Sequence, residues 1–95
     1  MEKHSRLGGV IIVPIDDRTG GFVLVTDPSK SKPHYLKFPG GKIKPTDASP
    51  EAAAARELWE ETTLVAKNLI HFGVGSNSTQ YLFLALVDFP TSNRP

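Results

Sequence analysis

Only one segment of this chain reads as a helix, and the segments around it read as short strands. Ser49-Pro50-Glu51 is a helix start: Ser49 can cap, Pro50 suits the first helical position and Glu51 faces the positive end of the helix dipole. The alanines that follow are strong helix formers, so the spacing predicts a helix from about Pro50 to Thr62. Upstream, residues 7–15 (LGGVIIVPI) form a β-branched apolar run that reads as a buried strand. Residues 16–21 (DDRTGG) read as a turn, and 22–27 (FVLVTD) as a second strand returning in an antiparallel hairpin. Residues 28–34 read as a loop, 35–38 (YLKF) as a short strand, and 39–48 (PGGKIKPTDA) as an irregular loop. After the helix, 64–76 and 79–89 read as two long strands joined by a Ser-Asn-Ser turn. One helix cannot cover both faces of such a sheet. The expectation is a single α+β domain over residues 1–95 with one layer missing.

Composition narrows the function classes. The chain has 95 residues, 39% of them hydrophobic, and a formal charge of +1. That balance gives no reason to expect bulk nucleic-acid or membrane attraction. The sequence holds no cysteine, so disulfides and thiolate metal sites are excluded. No apolar run approaches the roughly 20 residues needed to span a bilayer, and residues 1–9 lack the apolar core of a signal peptide. A cytoplasmic location is the expectation.

The helix contradicts local rules at its C-terminal end. Residues 56–63 (RELWEETT) place Glu57, Glu60 and Glu61 near the negative pole of the dipole. Like charges at these spacings repel by about 0.2–0.5 kcal/mol per pair. With Arg56 at zero and about 100° per residue, Glu60 falls near 40°, Glu57 near 100° and Glu61 near 140°. On this reading Ala52, Ala55, Leu58 and Trp59 dock on the sheet, while Ala53 and Ala54 lie among the acids. Two readings of the acidic face stay open. It is either a solvated surface with an Arg56–Glu60 pair, or a site for a hard divalent cation with oxygen ligands. Pro39-Gly40-Gly41 lets backbone approach a ligand closely, and Lys37, Lys42 and Lys44 place positive charge beside the acids.

Taken in order, Gly41, Asp47, Arg56-Glu57-Leu58-x-Glu60-Glu61 and Leu64 closely resemble the Nudix box of the Nudix, or MutT-like, hydrolases. The box occupies residues 40–64, and the flanking strands extend the resemblance over nearly the whole chain. The match departs from the family pattern at several points. Asp47 replaces Glu, eight residues rather than seven separate it from Arg56, and Thr63 replaces the glycine that ends the helix. A β-branched residue resists the left-handed cap, so a different helix exit is expected. Family members continue with further strands and a second helix, whereas this sequence runs to Pro95.

The resemblance implies an α/β/α sandwich with a mixed sheet, its second helix layer absent. It implies hydrolysis of the pyrophosphate bond of a nucleoside diphosphate linked to another group, X, with Mg²⁺ or Mn²⁺. Glu60, Glu61 and the Gly40 carbonyl would hold metal. Glu57 would ligate metal or act as the base on water, and Arg56 would orient the glutamates. Asp47 would close the loop onto the helix or touch metal through water. Lys37, Lys42 and Lys44 would bind phosphate. His34, Tyr35 and Phe38 are lesser candidates for substrate contact, His71 and Trp59 are read as structural, and Asp88 as a surface acid. A nucleotide- or metal-binding module with little turnover is the alternative, and an acidic interaction domain a third reading. The last strand is expected to expose an edge and an apolar face, which suggests a homodimer formed by pairing or exchange of the C-terminal strands; light scattering at high micromolar concentration should then show a dimer, and a monodisperse monomer removes this expectation.

Overall fold

The computed structural model describes residues 8–26, 36–75 and 79–88. A mixed sheet carries the fold. Its strands are β1 (Gly9–Asp16), β4 (Gly40–Lys42), β5 (Ala66–Val74) and β6 (Gln80–Val87), in the order β4-β1-β6-β5. β1 and β6 run parallel, and the other two pairings are antiparallel. A separate two-stranded sheet pairs β2 (Val25–Thr26) with β3 (Leu36–Lys37). The expected hairpin between 7–15 and 22–27 is therefore reduced to one bridge, Ile15 to Phe22. Pro14 sits inside β1 without breaking it. Its carbonyl accepts from Val23 N–H, so its missing donor faces that short return segment and not the β6 ladder.

Residues 40–42 were expected in a loop, but they form an edge strand. Glycine has low strand propensity, which hid it. The register (Val10 opposite Gly41, Ile11 opposite Gly40) shows why it forms. β1 is long and apolar and accepts any backbone that approaches closely enough.

Helix α1 (Pro50–Thr62) has the expected bounds. Ser49 is the N-cap, its Oγ accepting from Ala52 N–H at 3.0 Å. The docking face differs from expectation. Ala53, Ala54, Glu57 and Leu58 are buried, whereas Ala55 and Trp59 are exposed, Trp59 at 52%. The buried arc thus runs from about 60° to about 200° and contains Glu57. Alanine is small enough to let the helix sit close to the sheet. Leu58, fully buried beside Val10, Ile12, Phe83, Ala85 and Val87, contributes about 1.5–3 kcal/mol of burial.

The opposite sheet face presents Ile11, Val13, Ile15, Leu82, Leu84 and Leu86, all partly buried, and no helix among the described residues lies on it. The last strand, β6, is not the expected edge: it lies between β1 and β5, and β5 is the edge strand, with Ile70, Phe72 and Val74 about half exposed. His71 packs against the Tyr81 and Phe83 rings at 5.4 Å centroid separation, which agrees with a structural role. Asp88 is exposed and near Arg18 at 3.6 Å. The turn at 76–78, His34 and Tyr35 lie outside the described residues.

Thr63 does take the left-handed cap conformation, with φ 58° and ψ 22°, and its N–H reaches the Trp59 carbonyl at 2.8 Å. The pull is downstream: Leu64 must turn at once into the core, where it is 5% exposed. A β-branched residue held there is strained by about 1–2 kcal/mol. Thr63→Gly should therefore raise stability by about 0.5–1 kcal/mol after the entropy of a more flexible unfolded chain is subtracted. Thermal unfolding would show this as a Tm rise of about 2–8 °C; an unchanged or lower Tm would refute the strain.

Candidate active site

The site begins with the loop between β4 and α1. Asp47 closes it: its N–H donates to the Lys44 carbonyl at 2.9 Å, and its carboxylate accepts from Lys44 N–H at 2.8 Å. The same carboxylate meets the Arg56 guanidinium as a two-pronged pair, Nε to Oδ1 at 2.9 Å and Nη2 to Oδ2 at 2.8 Å. The extra residue between Asp47 and Arg56 therefore does not break the pairing. Arg56 lowers the Asp47 carboxyl to about 2, with the Lys44 amide adding to the effect. Asp47 in turn raises the Arg56 guanidinium further above its ordinary value.

Arg56 continues outward from that pair. Nη2 donates to the Lys42 carbonyl at 3.0 Å, while Nη1 donates to Glu57 at 3.1 Å and to Glu60 at 3.2 Å. One side chain thus fixes the loop, the edge strand and two helix carboxylates.

Glu57 is 8% exposed, rare for a carboxylate. It fits because Gly41 lies opposite. A Cβ added at Gly41 would stand 2.6 Å from the Glu57 carboxyl carbon, so a larger residue there would push the carboxylate out of this position. One helical turn on, Glu61 accepts from Gly40 N–H at 3.3 Å. Desolvation raises the Glu61 carboxyl, and the nearby Glu57 charge adds to this, while the Gly40 amide and Lys37 pull the other way. The β1–β4 register explains the Gly40 contact. Hydrogen bonds at Ile12–Pro39 and Ile43–Gly8 place Val10–Gly41 on the bonded alternation. Gly40 and Lys42 therefore turn their backbone groups away from β1, toward α1. The Gly40 carbonyl lies on the same side as the amide that meets Glu61.

This donor set suits a hard divalent cation: two adjacent carboxylates beside an outward carbonyl, with a like-charge conflict that a cation would relieve. Among the described residues no three acidic or histidine side chains already converge as a cage. Glu57 and Glu61 form the pair, and Glu60 is drawn to Arg56 with its side chain 48% exposed.

The lysines separate. Lys37 lines a cavity of about 300 Å³ together with Phe38, Gly40 and Gly41. Lys42 lines a neighbouring cavity of about 520 Å³. Lys44 is exposed and lines neither; its contacts with Asp47 are through backbone. Gln80 and Gly9 were not singled out in the sequence, yet Gln80 lines both cavities and Gly9 the larger. The paired glycines at 8 and 9, opening a strand, were the available signal.

An α+β domain whose edge strand is fastened to an acidic helix by one arginine defines a class of protein, and sequence and structure comparisons agree on which. The NUDIX domain family matches residues 5–94, nearly the whole chain, and the chain belongs to the Nudix family. No curated protein sequence matches it at a significant level. A solved structure, a NUDIX hydrolase from Nitrosomonas europaea, is similar, with a TM-score of 0.60 and 23% identity, covering 94% of this chain. At that identity the likeness shows the fold. The chain spans 64% of the length of that protein.

The Asp47–Arg56 pair generates a pH prediction. The folded carboxyl sits at about 2 against an ordinary 3.8. A lowered carboxyl stabilises the fold above the ordinary value, and that stability is lost as pH falls through the folded value. Asp47→Asn should therefore be less stable than wild type at neutral pH, by an amount constant down to about pH 4. The gap should close between about pH 4 and pH 2. Chemical denaturation across this range tests it; a gap independent of pH would sink the assignment.

Proposed function

We propose that this protein is a divalent-cation-dependent hydrolase that cleaves the pyrophosphate bond of a nucleoside diphosphate linked to a second group, X. The observation that carries the reading is the Glu57–Glu61 carboxylate pair set against the Gly40–Gly41 edge, Glu57 held by Arg56 and Glu61 by the Gly40 amide. A solvated acidic face needs no glycine opposite a buried glutamate and no arginine with this many partners. Family membership supports a hydrolase role.

In this reading Glu57, Glu60, Glu61 and the Gly40 carbonyl hold Mg²⁺ or Mn²⁺. The ion supplies neutralisation of phosphate charge and a more acidic bound water. Arg56 holds the Glu57 carboxylate in place and keeps Glu60 close by; Glu60 swings from Arg56 to join Glu57 and Glu61 when the ion binds. Glu57, shielded and beside the edge strand, takes the proton of the attacking water. Water oxygen bonds to phosphorus, the bridging P–O bond breaks, and two phosphate-bearing products leave. Lys37 is the best placed of the lysines to hold phosphate, because it lines the cavity at Gly40 and its charge acts on Glu61. Lys42 and Lys44 extend the positive field along the loop.

The test is Mn²⁺- and Mg²⁺-dependent hydrolysis over ADP-ribose, NADH, diadenosine polyphosphates, and normal and oxidised dNTPs. Turnover should require metal and fall by about 10²-fold or more in Glu60→Gln and Glu61→Gln, the scale of losing a charge-stabilising group. Folded protein that binds Mn²⁺ and turns over nothing on the panel would replace this reading with a binding module.

A further inference from the structure

The face of the sheet away from α1 ends in an unusual row. Gly9 of β1 is flanked by Lys42 on one side and Gln80 on the other. Neighbouring strands lie about 4.8 Å apart, so the two flanking backbones stand roughly 10 Å apart over a residue with no side chain. Gln80 leans into that gap. A Cβ built at Gly9 would lie 3.3 Å from Gln80 Cγ, 3.8 Å from its Nε2 and 3.0 Å from the Gly41 carbonyl oxygen. A side chain at Gly9 would thus crowd the Gly41 carbonyl and the Gln80 stem, while the carboxamide itself would be only in ordinary contact with it.

Both cavities meet here. The larger, of about 520 Å³, lies over Gly8 and Gly9 between Lys42 and Gln80, with Thr79 at its edge. The smaller, of about 300 Å³, passes Gln80 toward Lys37, Phe38 and Gly40. Together they are of the size that small ligands fill. They share Gly41 and Gln80, so Gln80 stands at the divide. The smaller cavity reaches the edge where Gly40 meets Glu61, and Lys37 connects the two electrostatically.

We propose that the glycine-floored cleft between Lys42 and Gln80 receives the nucleobase of the substrate, and that Gln80 selects adenine. This rests on the hydrolase reading only for which molecule the base belongs to. A flat ring fits over bare backbone, where any side chain would stand in its plane. A carboxamide presents a donor beside an acceptor, the complement of the adenine N6/N7 edge. Lysine offers donors alone and reaches acceptors on the far side of the ring or the ribose. With the base there, the phosphates run along the smaller cavity past Lys37 to the Glu57–Glu61 edge.

The experiment is equilibrium binding to the full chain without metal, by NMR titration, of AMP, GMP, CMP, UMP and ribose 5-phosphate. None of these probes contains a pyrophosphate bond, so binding is read apart from catalysis. AMP should bind at least about tenfold more tightly than ribose 5-phosphate and than the other nucleotides, the scale of one two-bond base contact. Gln80→Leu, which removes the polar atoms and is one bond shorter, should bring AMP to within about threefold of ribose 5-phosphate, with the remaining amide spectrum unchanged. Gly9→Ala should weaken AMP as well, by pressing on Gln80. Equal binding of all five probes, preference for another base, or an adenine preference that survives Gln80→Leu would each overturn the proposal. Metal-dependent turnover without base preference sinks this inference and leaves the hydrolase reading. Adenine-selective binding with no turnover on the panel does the reverse.

Discussion

The site depends on one guanidinium. Arg56 spans the loop at Asp47, the edge strand at the Lys42 carbonyl, and the helix at Glu57 and Glu60. Each contact has weak alternatives. β4 is three residues long and contains two glycines, so its ladder to β1 is short and entropically costly. The loop after it is closed by Asp47 turned back on Lys44. The glutamates repel one another. A planar fork with fixed donors satisfies all of these at once, which a lysine could not do. The paired bonds to Asp47 anchor the fork, and the remaining donors then fall on Lys42, Glu57 and Glu60.

Absent side chains shape the site as much as present ones. Gly41 opposite Glu57 lets a carboxylate sit in a nearly buried position. Ala53 and Ala54 let α1 approach the sheet closely enough for that position to exist. A bulkier helix face would lift Glu57 and Glu61 away from the Gly40 backbone. The stability cost of the crowded acids is thus carried by apolar packing elsewhere on the same helix, chiefly Leu58. Conflict of this kind concentrates at functional sites.

What the sequence made legible was local. The helix start and end followed from Ser49, Pro50 and the alanines, because capping is decided within a few residues. β1, β5 and β6 followed from their apolar runs. The ordered acids pointed to the family. What failed required knowing a partner. The docking face depends on such a partner: the charge of Glu57 points to solvent, and Gly41, sixteen residues before it in the sequence, shows where that carboxylate fits. β4 carries no side-chain alternation and exists through pairing with β1. Thr63 takes a conformation its branching disfavours because Leu64 must enter the core. Residues 22–23 stay against β1 while 25–26 leave it to pair with 36–37, a choice between two non-local partners that short-range reading cannot make.

β4 is the shared wall of two chemistries. Its outer edge faces α1, where Gly40 meets Glu61 and the Lys42 carbonyl meets Arg56. Its side chain at Lys42 projects from the other face, into the larger cavity beside Gly9 and Gln80. The Lys42 carbonyl that Arg56 holds and the Lys42 side chain that lines the cavity belong to one residue. In a domain this small, the acidic edge and the glycine-lined cavity are both built on the same three backbone residues.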